Sequence, residues 1–361
     1  MNTKDEDFDR LKNKWKELVD LLYQANEKPL RFLRYFIFAD YNVDRLREEE
    51  IYEWFVRNDL RCNYKNKPID FVNDLLGAAK AYVHFVEGKD VKGESNRHLA
   101  NLGYLSGAAR QHLILLLASR HISNGIFNDL CQQLENLFFA YIITREPTKE
   151  FERRFAQWSR DLKEVDNPKA LNDFIERYVH PAKETLSARF DLALKELNED
   201  SLQQYRMQYI LAKLTQYINE KAFGNSGAEA SLGTYINSQI WLEHILPQTP
   251  TNEVLTNFDK PLEYSSYLHR LGNLTLLEKA INISAGNSLF EAKKQAYSQS
   301  KFLLTQSLGK KPVVGKDTAI DRVVKQYSLE PFRNWNAETI EKRQDMLANL
   351  AKEVWGMPII K

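Results

Sequence analysis

From Asp5 to about Phe223, apolar residues return every three or four positions, starting with Phe8, Leu11, Trp15, Leu18, Leu21 and Leu22. That spacing lines one face of a helix, whereas a strand would alternate with period two. Pro29, Pro68, Pro147, Pro168 and Pro181 fall between periodic segments or near helix starts, and Ser123 and Asp200 stand where N-caps are expected. Roughly eight to ten helices follow from this punctuation. The segment from Asn101 to Glu146 reads as an antiparallel pair whose very apolar first helix, "HLILLLAS" from His112, belongs at the centre of a bundle. His84, His98, His112, His121 and His180 are scattered without ligand spacing and read as surface or hydrogen-bonded histidines.

The pattern changes at "FGNSGAEASLG", Phe223 to Gly233, where three glycines and small residues follow a long helix. The predicted organisation is therefore a helical bundle or connector over 1–223 and a second, α+β domain over 224–361. "TYINSQIWLEHILP" carries the β-branched and aromatic residues of a strand and stops at Pro247, which cannot donate to a ladder. "LGNLTLL", Leu271 to Leu277, is a second strand, followed by "EKAINISAG" as a short helix. "NSLFEAKKQAYSQSKFLL" reads as a firm helix, with Ser288 and Glu291 at capping-box spacing.

This order of strand, loop, strand and helix carries a constellation. Glu243 and His244 lie on the first strand, Asn273 lies 29 residues after His244, and Asn282 lies nine residues further. These residues resemble the HNH, or ββα-metal, nucleases. The wider frame "LEHILPQ", "HRLGNLTLLEKAIN" and "N..F..K" is similar to the HNH-like C-terminal domain of GmrSD-type restriction endonucleases, including the SspE-like phosphorothioation-sensing proteins. The closing "WNAETIEKRQDMLANLAKEVW" fits the end of that domain, so the resemblance covers about Tyr205 to Trp355. It implies a metal-dependent DNA endonuclease or nickase that restricts foreign, chiefly phage, DNA.

Each position then has a chemical task. Phosphodiester hydrolysis needs a deprotonated water and a cation to neutralise charge on the phosphate. His244 is the candidate general base, because neutral imidazole titrates near working pH. Glu243 and Asn282 are the candidate metal ligands, an oxygen set suited to Mg²⁺ or Mn²⁺. Asn273, following the family, ties down the loop that orients His244. Adjacent strand residues point to opposite faces, so Glu243 and His244 converge only at a strand end or a distortion. Taken singly, His244 reads as a satisfied strand-end histidine, Asn273 as a turn residue and Asn282 as a helix-end amide; in family order they read as catalytic. His269 either reaches the phosphate or packs beside the strand.

DNA contact leaves a basic footprint, and Phe290 to Lys325 holds eight bases (Lys293, Lys294, Lys301, Lys310, Lys311, Lys316, Arg322 and Lys325) against three acids. Lys293 and Lys294 lie nearest the motif and are the expected DNA contacts, although a solvated face would look the same. The whole chain gives no such signal, with 50 Lys and Arg against 49 acids. "GKKPVVGKD" lacks P-loop spacing. Cys62 and Cys131, far apart and without metal spacing, suit a reducing cytosol, and no apolar run is long enough for a bilayer, so a cytoplasmic protein is expected. The nucleotide-handling domain of GmrSD-type proteins carries an Asp-Gly-Gln-Gln-Arg motif that does not occur here. A sensing domain or subunit is thus an expected partner, beside DNA. The rival expectation is a non-catalytic DNA-binding or scaffolding module with a vestigial HNH site.

Overall fold

The structure is a computed structural model that describes residues 3–224, 231–312, 315 and 317–358. Helices dominate, and the described residues form one small antiparallel sheet, as expected from the shift in periodicity. The chain divides into two compact units, Met1–Thr185 and Leu186–Lys361. The division falls inside the helix His180–Lys195 rather than at the glycine-bearing stretch 223–233. Of that stretch, residues 225–230 lie outside the described residues.

In the first unit, Pro29 and Pro68 open the helices Pro29–Tyr41 and Pro68–Val86, where a missing N–H costs no hydrogen bond. Every residue of the helix His112–Ala118 is buried, and it packs against Pro29–Tyr41, Pro68–Val86 and Thr148–Leu162. The histidines of this unit have structural surroundings. His98 Nδ1 lies 2.7 Å from Glu135, and His121 Nε2 lies 3.0 Å from the Val165 carbonyl. His112 is buried edge-on against Phe138 with its Nδ1 unpaired, and burial lowers its pKa to about 3. Ser123 occupies an N-cap position without a side-chain cap bond.

In the second unit, β1 (Ile240–His244) pairs antiparallel with β2 (Leu274–Glu278), placing His244 opposite Leu274 and Ile240 opposite Glu278. A two-stranded ribbon is marginal alone. Here it is backed by the helices Gln204–Phe223, Lys279–Ala285 and Leu303–Gly309. Thr305 fastens the last of these by donating to the Leu276 carbonyl at 2.7 Å, with its oxygen 2.6 Å from the Thr275 hydroxyl. The long helix Ala337–Val354 lies against the tight turn Leu271–Asn273. Gly272 permits that approach, because a Cβ there would sit 2.3 Å from the Ile340 carbonyl oxygen. From the same helix, buried Arg343 donates to the carbonyls of Gly272 and Leu274 at 2.7 Å each. Gln344 donates to Leu194 and Leu197 at 2.8 and 3.0 Å, so one helix clamps both the chain before Glu199 and the turn before β2. The capping box expected at Ser288 and Glu291 is not formed; the helix Phe290–Tyr297 has Leu289 at its N-cap.

Candidate metal and phosphodiester site

The end of β1 meets two other segments. Residues 197–199 run beside 269–271 as a short bridge, with Glu199 N donating to the His269 carbonyl and Leu271 N to the Leu197 carbonyl, both at 2.9 Å. This bridge holds the Glu199 carboxylate between two imidazoles. His244 Nε2 lies 2.6 Å and His269 Nδ1 3.0 Å from the same oxygen, Oε2. The two rings are nearly perpendicular, at 87° and 6.0 Å between centroids. One ligand atom from each residue fits within 4.8 Å of the others. The His269 side chain is 33% exposed and that of His244 only 10%, so the cluster opens to solvent on the His269 side. Burial pushes the Glu199 carboxyl up, but hydrogen bonds and charge from both histidines outweigh it and hold the group below its usual range. The site therefore carries a carboxylate at neutral pH.

Asn273 is the joint of this assembly. Fully buried, it accepts from Leu246 N at 2.9 Å and from Trp335 Nε1 at 2.8 Å. It donates to the Leu268 carbonyl at 2.7 Å. Its backbone carbonyl also accepts from Ile245 N at 3.0 Å. One amide thus fixes the residues that follow His244 and the residue that precedes His269.

Other expected site residues are placed differently. Glu243 points away from His244, as alternation along a strand requires. Its Oε1 accepts from Lys293 Nζ at 2.7 Å and from the Tyr297 hydroxyl at 2.8 Å, in a buried cluster. A carboxylate oxygen so engaged does not face the His244 imidazole, and the acid beside that ring is Glu199. Lys293 is only 2% exposed and also donates to the His244 carbonyl at 2.7 Å, so its ammonium braces the strand end and does not reach the surface. Lys294 pairs with Glu291 at 2.7 Å and donates to the Arg333 carbonyl. Further along the basic stretch Lys311 pairs with Glu330 and Lys325 with Asp321, which neutralises much of the expected footprint; Lys316 lies outside the described residues. Asn282 is half-buried on Lys279–Ala285, and its side-chain amide has no hydrogen-bond partner among the described residues. His244 uses both ring nitrogens, the second being 3.1 Å from Gln248 Nε2.

Glu199 carried little signal in the sequence. It sits in "ELNEDS", 45 residues before His244 and ahead of the expected domain boundary, where the sequence points only to Asp200, as a cap. Asp200 lies instead inside the short 3₁₀ turn Glu199–Ser201.

Fold and site together define a helical domain with a carboxylate and two imidazoles gathered at the end of a small antiparallel sheet. Residues 184–350 match the family of GmrSD restriction endonucleases, C-terminal domain. The matched stretch begins far enough upstream to include Glu199. No curated protein matches the chain. Among the described residues no helix is long and apolar enough to cross a membrane.

Proposed function

We propose that this chain is an HNH-type endonuclease that hydrolyses phosphodiester bonds of foreign DNA, the effector half of a restriction system that also has a nucleotide-sensing part. The single observation that carries this reading is the convergence of Glu199, His244 and His269 on one solvent-reachable point in a GmrSD-type domain. The donor set fits a divalent cation: one ionised oxygen and two imidazole nitrogens, already gathered and partly open. Two nitrogen donors favour Mn²⁺ or another first-row transition ion over Mg²⁺, which prefers oxygen and keeps its water. When bound, such an ion lowers the pKa of water and offsets charge on the phosphate.

The chain's own groups then have distinct tasks. Glu199, His244 and His269 would hold the ion. Asn273 positions His244 and His269 through the main chain on either side. The free amide of Asn282, on the helix that follows β2, would supply a further contact to the ion or to a phosphate oxygen. Lys293 neutralises Glu243, Tyr297 donates a hydrogen bond to it, and together they hold the strand end.

A second role for His244 is favoured by its 2.6 Å bond to Glu199. In that version Glu199 orients His244 as a general base, and the cation is held elsewhere. The two versions part in one experiment, which follows plasmid nicking and Mn²⁺ binding by calorimetry for wild type and His244→Ala, with any sensor subunit supplied. Ligation by His244 predicts that Mn²⁺ affinity and nicking fall together. A base role predicts intact Mn²⁺ binding with turnover lowered about a hundred- to ten-thousandfold. Wild-type protein that binds DNA but nicks nothing with Mn²⁺ or Mg²⁺ would return the chain to the non-catalytic alternative.

A further inference from the structure

The chain that leaves the proposed metal cluster at His244 goes on to line a cavity of about 650 Å³, within the range that holds small ligands. Its wall includes Ile245, Leu246, Pro247 and Thr249, the chain that leaves His244, so the strand end has the cluster at one point and the cavity within five residues. Gln248, whose side chain touches His244, sits between two of these wall residues. The inner surface is aromatic. Phe258, Phe290 and Trp335 are each less than a tenth exposed, and the Phe290 and Trp335 rings lie 4.9 Å apart at 35°. The mouth is polar and exposed, with Thr251, Asn257 and Ser288 offering hydroxyls and an amide.

Charge narrows the choice of occupant. Glu253 is the acid of the lining, and no Lys, Arg or His is among the lining residues. A phosphate would meet repulsion there with no cation to offset it. What fits is an uncharged flat ring with an apolar face and a hydrogen-bonding edge: the aromatic floor takes the face, and the carboxylate and amide at the mouth take the edge. We propose that this cavity receives one unstacked nucleobase of the DNA strand whose phosphate sits at Glu199, His244 and His269. The proposal rests on the nuclease reading and adds a substrate subsite to it. The cavity also explains why the strand end is so firmly fixed, since Asn273 anchors Leu246 and Trp335, two of its walls, with the same side-chain oxygen. A base lodged there would set the register of the backbone over the cluster.

The experiment uses the full chain, with Mn²⁺, and a short fluorescent single-stranded oligodeoxynucleotide in which one base at a time is replaced by an abasic analogue. Anisotropy should show affinity falling roughly tenfold or more for a single abasic position next to the cut phosphate, and much less elsewhere. Ala292→Phe, which fills the mouth, should weaken binding of the intact strand by a similar factor and leave the strand abasic at that position unchanged. Should this variant misfold, Glu253→Gln offers an exposed alternative, expected to change the ranking of the four bases at that one position while metal binding stays constant. A protein that binds and cuts DNA with equal loss at every abasic position overturns the base subsite and leaves the nuclease reading standing. A protein that binds no DNA sinks both.

Discussion

Each unit of the molecule contains a histidine bonded to a buried or half-buried glutamate, and the two pairs have different capacities. In the helical unit Glu135 is fully buried, with one oxygen 2.7 Å from His98 Nδ1 and the other accepting from Asn101 at 3.1 Å. In the second unit Glu199 gives a single oxygen to both His244 and His269, and the cluster opens on the His269 side. A closed pair satisfies a buried acid and ties two helices together. A second imidazole at an open edge adds a set of donors that an incoming cation can take over. The distinction lies in how many ligand atoms converge and whether they can be reached, not in the acid and histidine themselves.

Neutralising each glutamate in turn should give the largest and most divergent effects. Glu199→Gln should reduce nicking at least a hundredfold, a loss of about 3 kcal/mol in transition-state stabilisation, while thermal stability changes little. Glu135→Gln should do the reverse, lowering the melting temperature with cleavage per folded molecule preserved. Parallel nicking assays and thermal melts decide it. Equal losses of activity from both would remove the special status of the Glu199 cluster.

The second unit holds its own closed pair, and its rupture comes next in size. Lys293 and Glu243 are buried against each other, so Lys293→Ala leaves an uncompensated carboxylate inside the protein. The expected cost is about 3–5 kcal/mol in chemical denaturation. A much smaller loss would mean that Glu243 turns toward solvent, where it would again be available as the metal ligand first expected of it.

What the sequence made legible follows the same division between local and distant causes. Helical periodicity and both strands depend on near neighbours or on spacing within one segment and were readable, whereas the unit boundary, expected at the glycine-bearing stretch after Phe223, falls between Thr185 and Leu186, inside a helix whose local sequence carries no break. Asn273, recognisable only by its place in the motif, accepts from Leu246 and donates to Leu268, contacts that lie 27 and five residues away in the chain. Convergence of Glu243 with His244 needs a distortion at the strand end, and none occurs: both residues keep regular pairing with β2, so alternation sends Glu243 to Lys293 and Tyr297 on the other face. Glu199 left no local signal because its place is set by the bridge of its neighbour Asn198 to Arg270 and by the bond from Gln344 to Leu194, a contact 150 residues apart in the chain. Lys293 looked like a DNA contact because a sequence does not show that one lysine of an adjacent pair is buried and the next is not.

A pH-dependent effect of intermediate size comes from His112, in the interior of the first unit. Burial depresses the pKa of His112 to about 3, so the folded protein keeps it neutral while the unfolded chain protonates it near its ordinary value of 6.5. Between those values the unfolded state binds more protons, and stability contributed by the neutral ring is lost as pH falls. Between pH 7 and pH 5 this amounts to about 2 kcal/mol. His112→Phe keeps an aromatic edge against Phe138 and removes the proton site, so its denaturation midpoint should depend on pH less steeply than that of wild type. Identical pH slopes would show that His112 is not buried in the neutral form.

The smallest effect separates the two neighbouring lysines. Lys293 belongs to the interior, whereas Lys294 is only partly covered, pairing with an exposed Glu291 and lying 5.1 Å from the Phe290 ring. An exposed partner of that kind holds a lysine weakly, and approaching phosphates compete for it. Each cation that neutralises a DNA phosphate releases a counterion, so its removal should weaken binding for every sequence alike and lower the slope of log affinity against log salt by about one. Lys294→Ala should therefore cut DNA affinity severalfold at low salt, converge with wild type at high salt, and leave the denaturation midpoint almost unmoved. Titrations at several salt concentrations on one non-specific duplex suffice. An unchanged slope would assign Lys294 to the solvated face and leave Lys301 and Lys310, the described lysines of the stretch without an acidic partner, as its remaining candidates for the backbone contact.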